Sequence, residues 1–413
     1  MGIGPADTLS PGLLRKVVHA GARHRSFREA HEELLALAEV PVAEERVRRA
    51  TERIGAERVA ERNAAASAWQ KLPFPERDRS PTGQSPPVAC VQVDGGRIQI
   101  LDVQEEQSSA ERRGRFWRET RAACLLSLAS ETHVEDPCPE LPEAFANFAR
   151  MAKITREIKG AAGLRAVEAS PEKKEEDSLE TRAPEEEVRP GRPQILVRSV
   201  VATREPWAKF GPLVASAAWQ RGFAAAQRKA FLGDGSAAIW TLHRTYFSHY
   251  VDILDFVHSA TYVFRAACAG RTLDEAVTTY QHWAQTIWSG RVDDVIAALE
   301  ARQQELGAPQ ADDAETSPRR VVDETLGYLR NQRTRMRYDD YRRQGLPITT
   351  AHIESTVKQI NRRLKGSEKF WKSPGAEALL QLVADDLSET DPLARFWRDR
   401  PHRATGRRHH QHR

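Results

Sequence analysis

Apolar residues recur with two different periods along this chain, and the change between them divides it. From residue 11 to 64 the period is helical. Leu13, Leu14, Val17 and Val18 open one amphipathic run, and Ala30, Leu34, Leu35 and Ala38 line one face of SFREAHEELLALA (26–38), with Ser26 placed to cap it. After a break at EVPV (39–42), AEERVRRATERIGAERVAER continues the helical pattern and carries Arg46, Arg48, Arg49 and Arg53. Two helices joined by a short turn fit a helix-turn-helix-like, DNA-reading element over residues 1–65 and fit a plain helical bundle equally. Prolines at 73, 75, 81, 86 and 87 mark 66–87 as a linker.

The period then shortens to that of strands. PVACVQVDGGRIQILDV predicts two strands meeting near Gly95–Gly96, and ACLLSLASETHV (123–134) a third. Residues 161–193 turn polar, acidic and proline-containing, the pattern of an exposed or disordered insert. PQILVRSVVAT (193–203) reads as a strand or an extended lead-in, FGPLVASAAWQRGFAAAQRK (210–229) as a helix, and KAFLGDGSAAIW (229–240) as a strand ending in a turn. HYVDILDFVH (249–258) gives a strand and then a helix. Residues 259–345 are mostly helical and rich in Trp, Tyr and Arg, and a last helix comes within 346–371. This order predicts an α/β core interrupted by insertions.

Composition narrows the class. With 40% hydrophobic and 29% charged residues over 413 positions, the chain has the makings of a soluble globular protein of two or three domains. No run approaches the ~20 apolar residues of a membrane span, and no signal peptide is visible at the start, so a cytoplasmic protein without membrane contact is expected. The four cysteines lack CxxC pairing, which argues against a disulfide scaffold or a cysteine zinc site. The net charge of +4 hides a segment, 172–187, with eight acidic and three basic residues, so the remainder carries +9. Seven arginines stand in the last 19 residues against one aspartate. Anionic partners, nucleic acid first, become plausible.

Three acids stand apart from the other charges. Asp94 comes after the apolar run Val88–Val93 and precedes two glycines, and Asp234 ends another apolar run between two glycines. Each fits a turn aspartate, since DG is a common turn dipeptide, and each fits a ligand at a strand end where glycine admits a close backbone. Glu354 differs because it lies on a helix. Ile353, Val357, Ile360 and Leu364 form its apolar stripe, Thr349 or Thr350 can cap it and Gly366 can end it. Lys358 and Arg362 stand at i+4 and i+8 from Glu354, with Arg363, Lys365 and Lys369 close behind. A surface Glu–Lys pair worth about 0.2–0.5 kcal/mol explains the pattern, and so does a metal ligand with phosphate contacts after it. Three carboxylates from distant parts of an α/β core could hold two divalent ions about 3.5–4 Å apart for an in-line phosphoryl displacement. Magnesium suits oxygen ligands and keeps positions open for phosphates.

In VQVDGGRIQI (91–100), FWRETRAACLL (116–126), FLGDGSAAIW (231–240), ILDFVHSATYVF (253–264), RMRYDDYRRQGLPITTAHIESTVKQINRRLKGSEKFW (335–371) and GAEALLQL (375–382), the chain resembles bacterial DDE transposases of insertion sequences, the ISKra-type branch related to Mutator-like elements. The resemblance runs from about residue 10 to 390. It implies an RNase H-like catalytic core with the first acid on the first strand, the second after the fourth and the third on a late helix. Asp94, Asp234 and Glu354, separated by 140 and 120 positions, would be that triad, binding Mg²⁺ with Mn²⁺ as substitute. The core would comprise 88–160, 194–260 and 347–388, with 261–346 a helical insertion and 389–413 a basic tail.

The resemblance also implies a [C/D]xxH pair at Asp255 and His258, linked to strand handling, although a histidine packing at a helix start fits too. It favours Asp234 over Asp252 as the ligand. Where many relatives have GSG before the last acid, this chain has Thr349, Thr350 and Ala351. The implied partners are terminal inverted repeats and target DNA, bound by a homo-oligomer, with Lys358, Arg362, Arg363 and Lys365 on phosphates and Arg46, Arg49 and Arg53 on the N-terminal element. A non-catalytic DNA-binding derivative and an RNase H-like nuclease are the alternatives. Trp117, Arg118 and Glu119 read as strand packing or as neighbours of the core. Trp283 and Trp288 fit core packing better than base stacking, and the HHQH of the tail (409–412) has no tie to catalysis.

Overall fold

Val88, Ala89, Cys90, Val91, Gln92 and Val93 are all buried, as an apolar run requires when both faces of a strand are covered. They begin β1 (Val88–Ile100). The computed structural model describes residues 9–101, 116–159, 191–366 and 368–403, and these form a mixed α/β protein. Most of the acidic segment 161–193 and the HHQH of the tail lie outside the described residues. The chain divides into two compact units, one of Met1–Ser127, Ile195–Ala226 and Ala351–Arg413, the other of Leu128–Gln194 and Gln227–Thr350.

In the first unit β3 (Gln194–Thr203), β2 (Trp117–Ala129) and β1 are successive neighbours. β6 (Phe370–Trp371) runs parallel to β1, with Gln99 opposite Phe370 and Ile100 opposite Trp371. The two strands expected around Gly95–Gly96 are one strand, because neither glycine takes a positive φ and β1 passes straight through. Their bareness permits packing instead: a Cβ on Gly96 would stand 2.9 Å from Thr120 Oγ1 and 3.5 Å from Val357 Cγ1.

Three helices precede this sheet: Pro11–Arg23, Phe27–Ala38 and Glu44–Lys71. Ser10 and Ser26 cap the first two, accepting from the amides of Leu13 and Glu29. The third continues through 66–71, expected as linker, and stops at Leu72 before Pro73 and Pro75. It lies along the helices Trp207–Gln220 and Ser373–Asp386, so the N-terminal helices are part of this unit. Gly55 sets the approach, since a Cβ there would be 2.5 Å from the Ala378 carbonyl oxygen. One turn on, buried Arg58 forks onto Asp385 at 2.8 and 3.1 Å, and Arg62 reaches Glu377 at 2.9 Å. Burial still raises the Asp385 carboxyl above its usual range despite the Arg58 guanidinium.

In the second unit β4 (Arg228–Gly233) and β5 (Val251–Leu254) pair in parallel, with Gly233 opposite Leu254, and the helix Ala237–Tyr246 makes the crossover that parallel strands need. The helices Phe256–Cys268, Leu273–Trp288, Val292–Leu306, Pro318–Gln332 and Tyr338–Arg343 fill the stretch expected to be helical. Phe256 centres their aromatic core, with ring centroids 5.1 Å from Phe145, 4.9 Å from Trp288 and 5.2 Å from Tyr338. Trp283 and Trp288 are both buried, and the Trp288 indole donates to the Cys138 carbonyl at 2.8 Å, so packing is their role here.

Gly55→Leu should destabilise the first unit by about 1–3 kcal/mol, because the added side chain must push two helix backbones apart. An unchanged thermal unfolding midpoint would contradict so close an approach of the two helices.

Candidate functional site

Six buried positions place Asp94 where β1 begins to meet solvent. It is half-buried, and its Oδ1 accepts the Gly95 amide at 2.6 Å. The helix Ala351–Leu364 packs on β1 in the same unit, and the Ile353 amide donates to the Gln92 side-chain oxygen at 3.2 Å. Glu354 is half-buried in the first turn of that helix, where the dipole favours a carboxylate. The first and third sequence-predicted acids thus sit on two elements packed against each other. Gln92 and Ile353, which join those elements, are close sequence neighbours of the two acids.

Burial on this helix runs through Ile353, Thr356, Ile360, Arg363 and Leu364, with Val357 only partly covered. Arg363 therefore corrects the expectation of a phosphate contact. It is 3% exposed. Its guanidinium donates to the Gly21 carbonyl at 3.0 and 3.1 Å and to the Arg25 carbonyl at 3.2 Å. It also lies over the rings of Phe27 at 4.5 Å and Trp371 at 5.2 Å. Burial pushes its pKa down to about 10. A cation here satisfies carbonyls at and just beyond the end of the Pro11–Arg23 helix and has no face left for DNA. Lys369 is likewise turned inward, donating to the carbonyls of Arg362 and Arg363 at 3.2 and 3.1 Å.

Lys358, Arg362 and Lys365 keep contact with solvent, Lys365 with its ammonium 5.6 Å from the Trp117 ring centroid. On the Glu44–Lys71 helix Arg46, Arg49 and Arg53 reach solvent as well, and Arg49 pairs with Glu45 at 2.7 Å. Hydrogen bonds from Arg48 and Arg49 hold the Glu45 carboxyl pKa down at about 2. On β2, Arg118 and Glu119 are exposed and Trp117 is half-buried, with Glu119 paired to Arg121 at 2.9 Å.

The second unit sets Asp234 and Asp255 at neighbouring strand ends and pairs Asp255 with His258. In-register pairing of β4 and β5 ends both strands side by side, and the Asp255 amide donates to the Gly233 carbonyl at 2.9 Å. Carboxyl ends of parallel strands are where open α/β sheets present functional groups. Asp234 is half-buried, and its Oδ1 accepts the Ser236 amide at 2.8 Å, which is the turn geometry that DG sequences favour. Asp255 is fully buried and caps the helix Phe256–Cys268. Its Oδ2 accepts the His258 amide at 2.8 Å and lies 2.7 Å from His258 Nδ1, while Oδ1 accepts the Thr350 amide at 2.7 Å. The aspartate thereby assigns the imidazole proton to Nδ1. Asp252 is matched with Arg335 at 2.6 Å, whereas among the described residues Asp234 has no ion pair.

Asp234, with no ion pair among the described residues, suits a hard divalent ion, and a half-buried carboxylate can still reach a substrate phosphate. The residues that sequence reasoning missed are those gripping the Asp234 turn from the helix Pro318–Gln332: the Tyr328 hydroxyl donates to the Asp234 carbonyl at 2.8 Å and the Gln332 amide to the Gly235 carbonyl at 3.0 Å. Their i,i+4 spacing signals one helix face but not what that face meets. Among the described residues no helix is long and apolar enough to cross a membrane. Comparison with protein-family models and with curated proteins finds no match to this chain.

Asp255→Ala should cost about 2 kcal/mol, since it removes a helix cap and strips buried amides of their acceptor. The denaturant midpoint measures this, and a shift within error of wild type would show that the carboxylate is dispensable to the fold.

Proposed function

We propose that the protein is a DDE-type DNA transposase with an RNase H-like core, cleaving DNA strands and joining the freed 3′ ends to a target. The observation that carries this reading is the setting of the three acids: Asp94 within the first strand, Asp234 directly after the fourth, and Glu354 in the first turn of a late helix. That is the order of elements the resemblance requires, and each acid is half-buried.

The donor set fits magnesium, with manganese in its place, because three carboxylates supply hard oxygens and Asp234 is not neutralised by an ion pair among the described residues. Bound divalent ions would supply charge stabilisation for the attacking and leaving oxygens of an in-line displacement. Asp94, Asp234 and Glu354 would hold them. The rigid elements beneath these side chains keep them from rearranging during the step: β1 for Asp94, the end of β4 for Asp234, and a helix packed on β1 for Glu354. Lys358, Arg362 and Lys365 would meet the DNA backbone, positioning it without reading sequence. Arg46, Arg49 and Arg53 offer a second basic face, suited to the terminal repeats.

Asp94→Asn and Glu354→Gln should each abolish Mg²⁺-dependent cleavage while leaving DNA affinity within about twofold, since removing ligands removes the step and not the phosphate contacts. Cleavage at the wild-type rate by either variant would overturn the assignment. Arg362→Ala should reduce the salt dependence of DNA binding by about one unit of slope, while Arg363→Met should lower thermal stability and leave that slope alone. Equal effects of the two on the slope would contradict the division between solvent-facing and buried cations.

A further inference from the structure

The turn that carries Asp234 is gripped by the helix Pro318–Gln332, whose donors lie 94 and 97 positions away in sequence. We propose that Tyr328 and Gln332 are positioning residues for Asp234, fixing its carboxylate through the backbone of the turn; this rests on the function proposed above. Gly235 takes φ +100°, a conformation that L side chains rarely adopt. A Cβ there would also stand 2.9 Å from the Tyr328 ring and 3.1 Å from its hydroxyl. The ring is therefore laid against the turn, and two consecutive carbonyls of that turn, those of Asp234 and Gly235, accept from side chains one helical turn apart.

The donors are themselves held. Tyr328 stacks on Tyr262 with centroids 3.7 Å apart and planes 14° from parallel. The Lys159 ammonium lies 3.8 Å from the Tyr262 centroid. A tyrosine hydroxyl carries its proton near neutral pH and can donate it to this carbonyl. Gln332 is buried, and its side-chain oxygen accepts from Arg335 at 3.2 Å, which fixes the amide with its nitrogen toward Gly235. Asp234 Oδ1 is anchored to the Ser236 amide at 2.8 Å, so the path of this backbone decides where the carboxylate points. Ligand sites tolerate errors of only about half an ångström, and contacts of this kind commonly alter metal affinity by about 10–100-fold when removed.

Tyr328→Phe keeps the stacked ring and deletes one donor, so it separates positioning from packing. Mn²⁺ affinity, read by electron paramagnetic resonance on the full chain, should weaken about tenfold, and the Mg²⁺ concentration giving half-maximal cleavage should rise in step. Maximal cleavage at saturating Mg²⁺ should fall much less, and the melting temperature should stay within a few degrees. Gln332→Met should behave alike and decides the matter if the first variant does not fold. Unchanged Mn²⁺ affinity and unchanged Mg²⁺ dependence in an active background would overturn the positioning role alone. A wild-type protein that neither cleaves DNA nor binds Mn²⁺ in an Asp234-dependent way would overturn the proposed function, and this role with it.

Discussion

A carboxylate withdrawn completely from water must find hydrogen-bond donors on both oxygens, and Asp255 meets that constraint by tying three segments together. One oxygen takes the His258 amide and ring nitrogen, and the other takes the amide of Thr350. The contact fixes the end of β5, the first turn of the helix Phe256–Cys268 and the residue just before the helix of Glu354. Because Asp255 comes directly after Leu254, which pairs with Gly233, its placement also fixes the neighbour of Asp234. One acid is thus consumed in structure beside another that has no ion pair among the described residues. That contrast supports the proposal of Asp234 as a ligand and Asp255 as a scaffold.

Much of this was legible as period. The apolar run ending at Asp94, the short strand ending at Asp234 and the 3–4 spacing behind Glu354 each predicted the element that carries the acid. Local pattern failed where a residue's role depends on a distant surface. Gly95–Gly96 reads as a turn, yet both glycines lie within one strand without a positive φ, and a Cβ on Gly96 would stand 2.9 Å from Thr120 Oγ1, a residue distant in sequence. Residues 66–71 read as linker by proximity to prolines, but the helix runs on until Leu72.

Arg363 is the instructive error. Counted as charge, it belongs with Lys358, Arg362 and Lys365; counted as position, it falls three residues after Ile360 on the buried face of the same helix. The carbonyls of Gly21 and Arg25 explain why a cation is tolerated there, and only the folded chain supplies them. A charged residue on an apolar stripe is a packing residue first. The same reasoning reaches Tyr328 and Gln332, whose neighbours on the Asp234 turn are remote in sequence.

The proposed chemistry stands or falls on whether Asp94, Asp234 and Glu354 bind the same divalent ions. Anomalous diffraction from crystals soaked in manganese answers that without an activity assay. Peaks should lie within coordination distance of carboxylate oxygens from all three residues, and they should vanish in Asp234→Asn crystals. Manganese bound elsewhere with these carboxylates bare, or a peak that survives the substitution unchanged, would contradict the assignment.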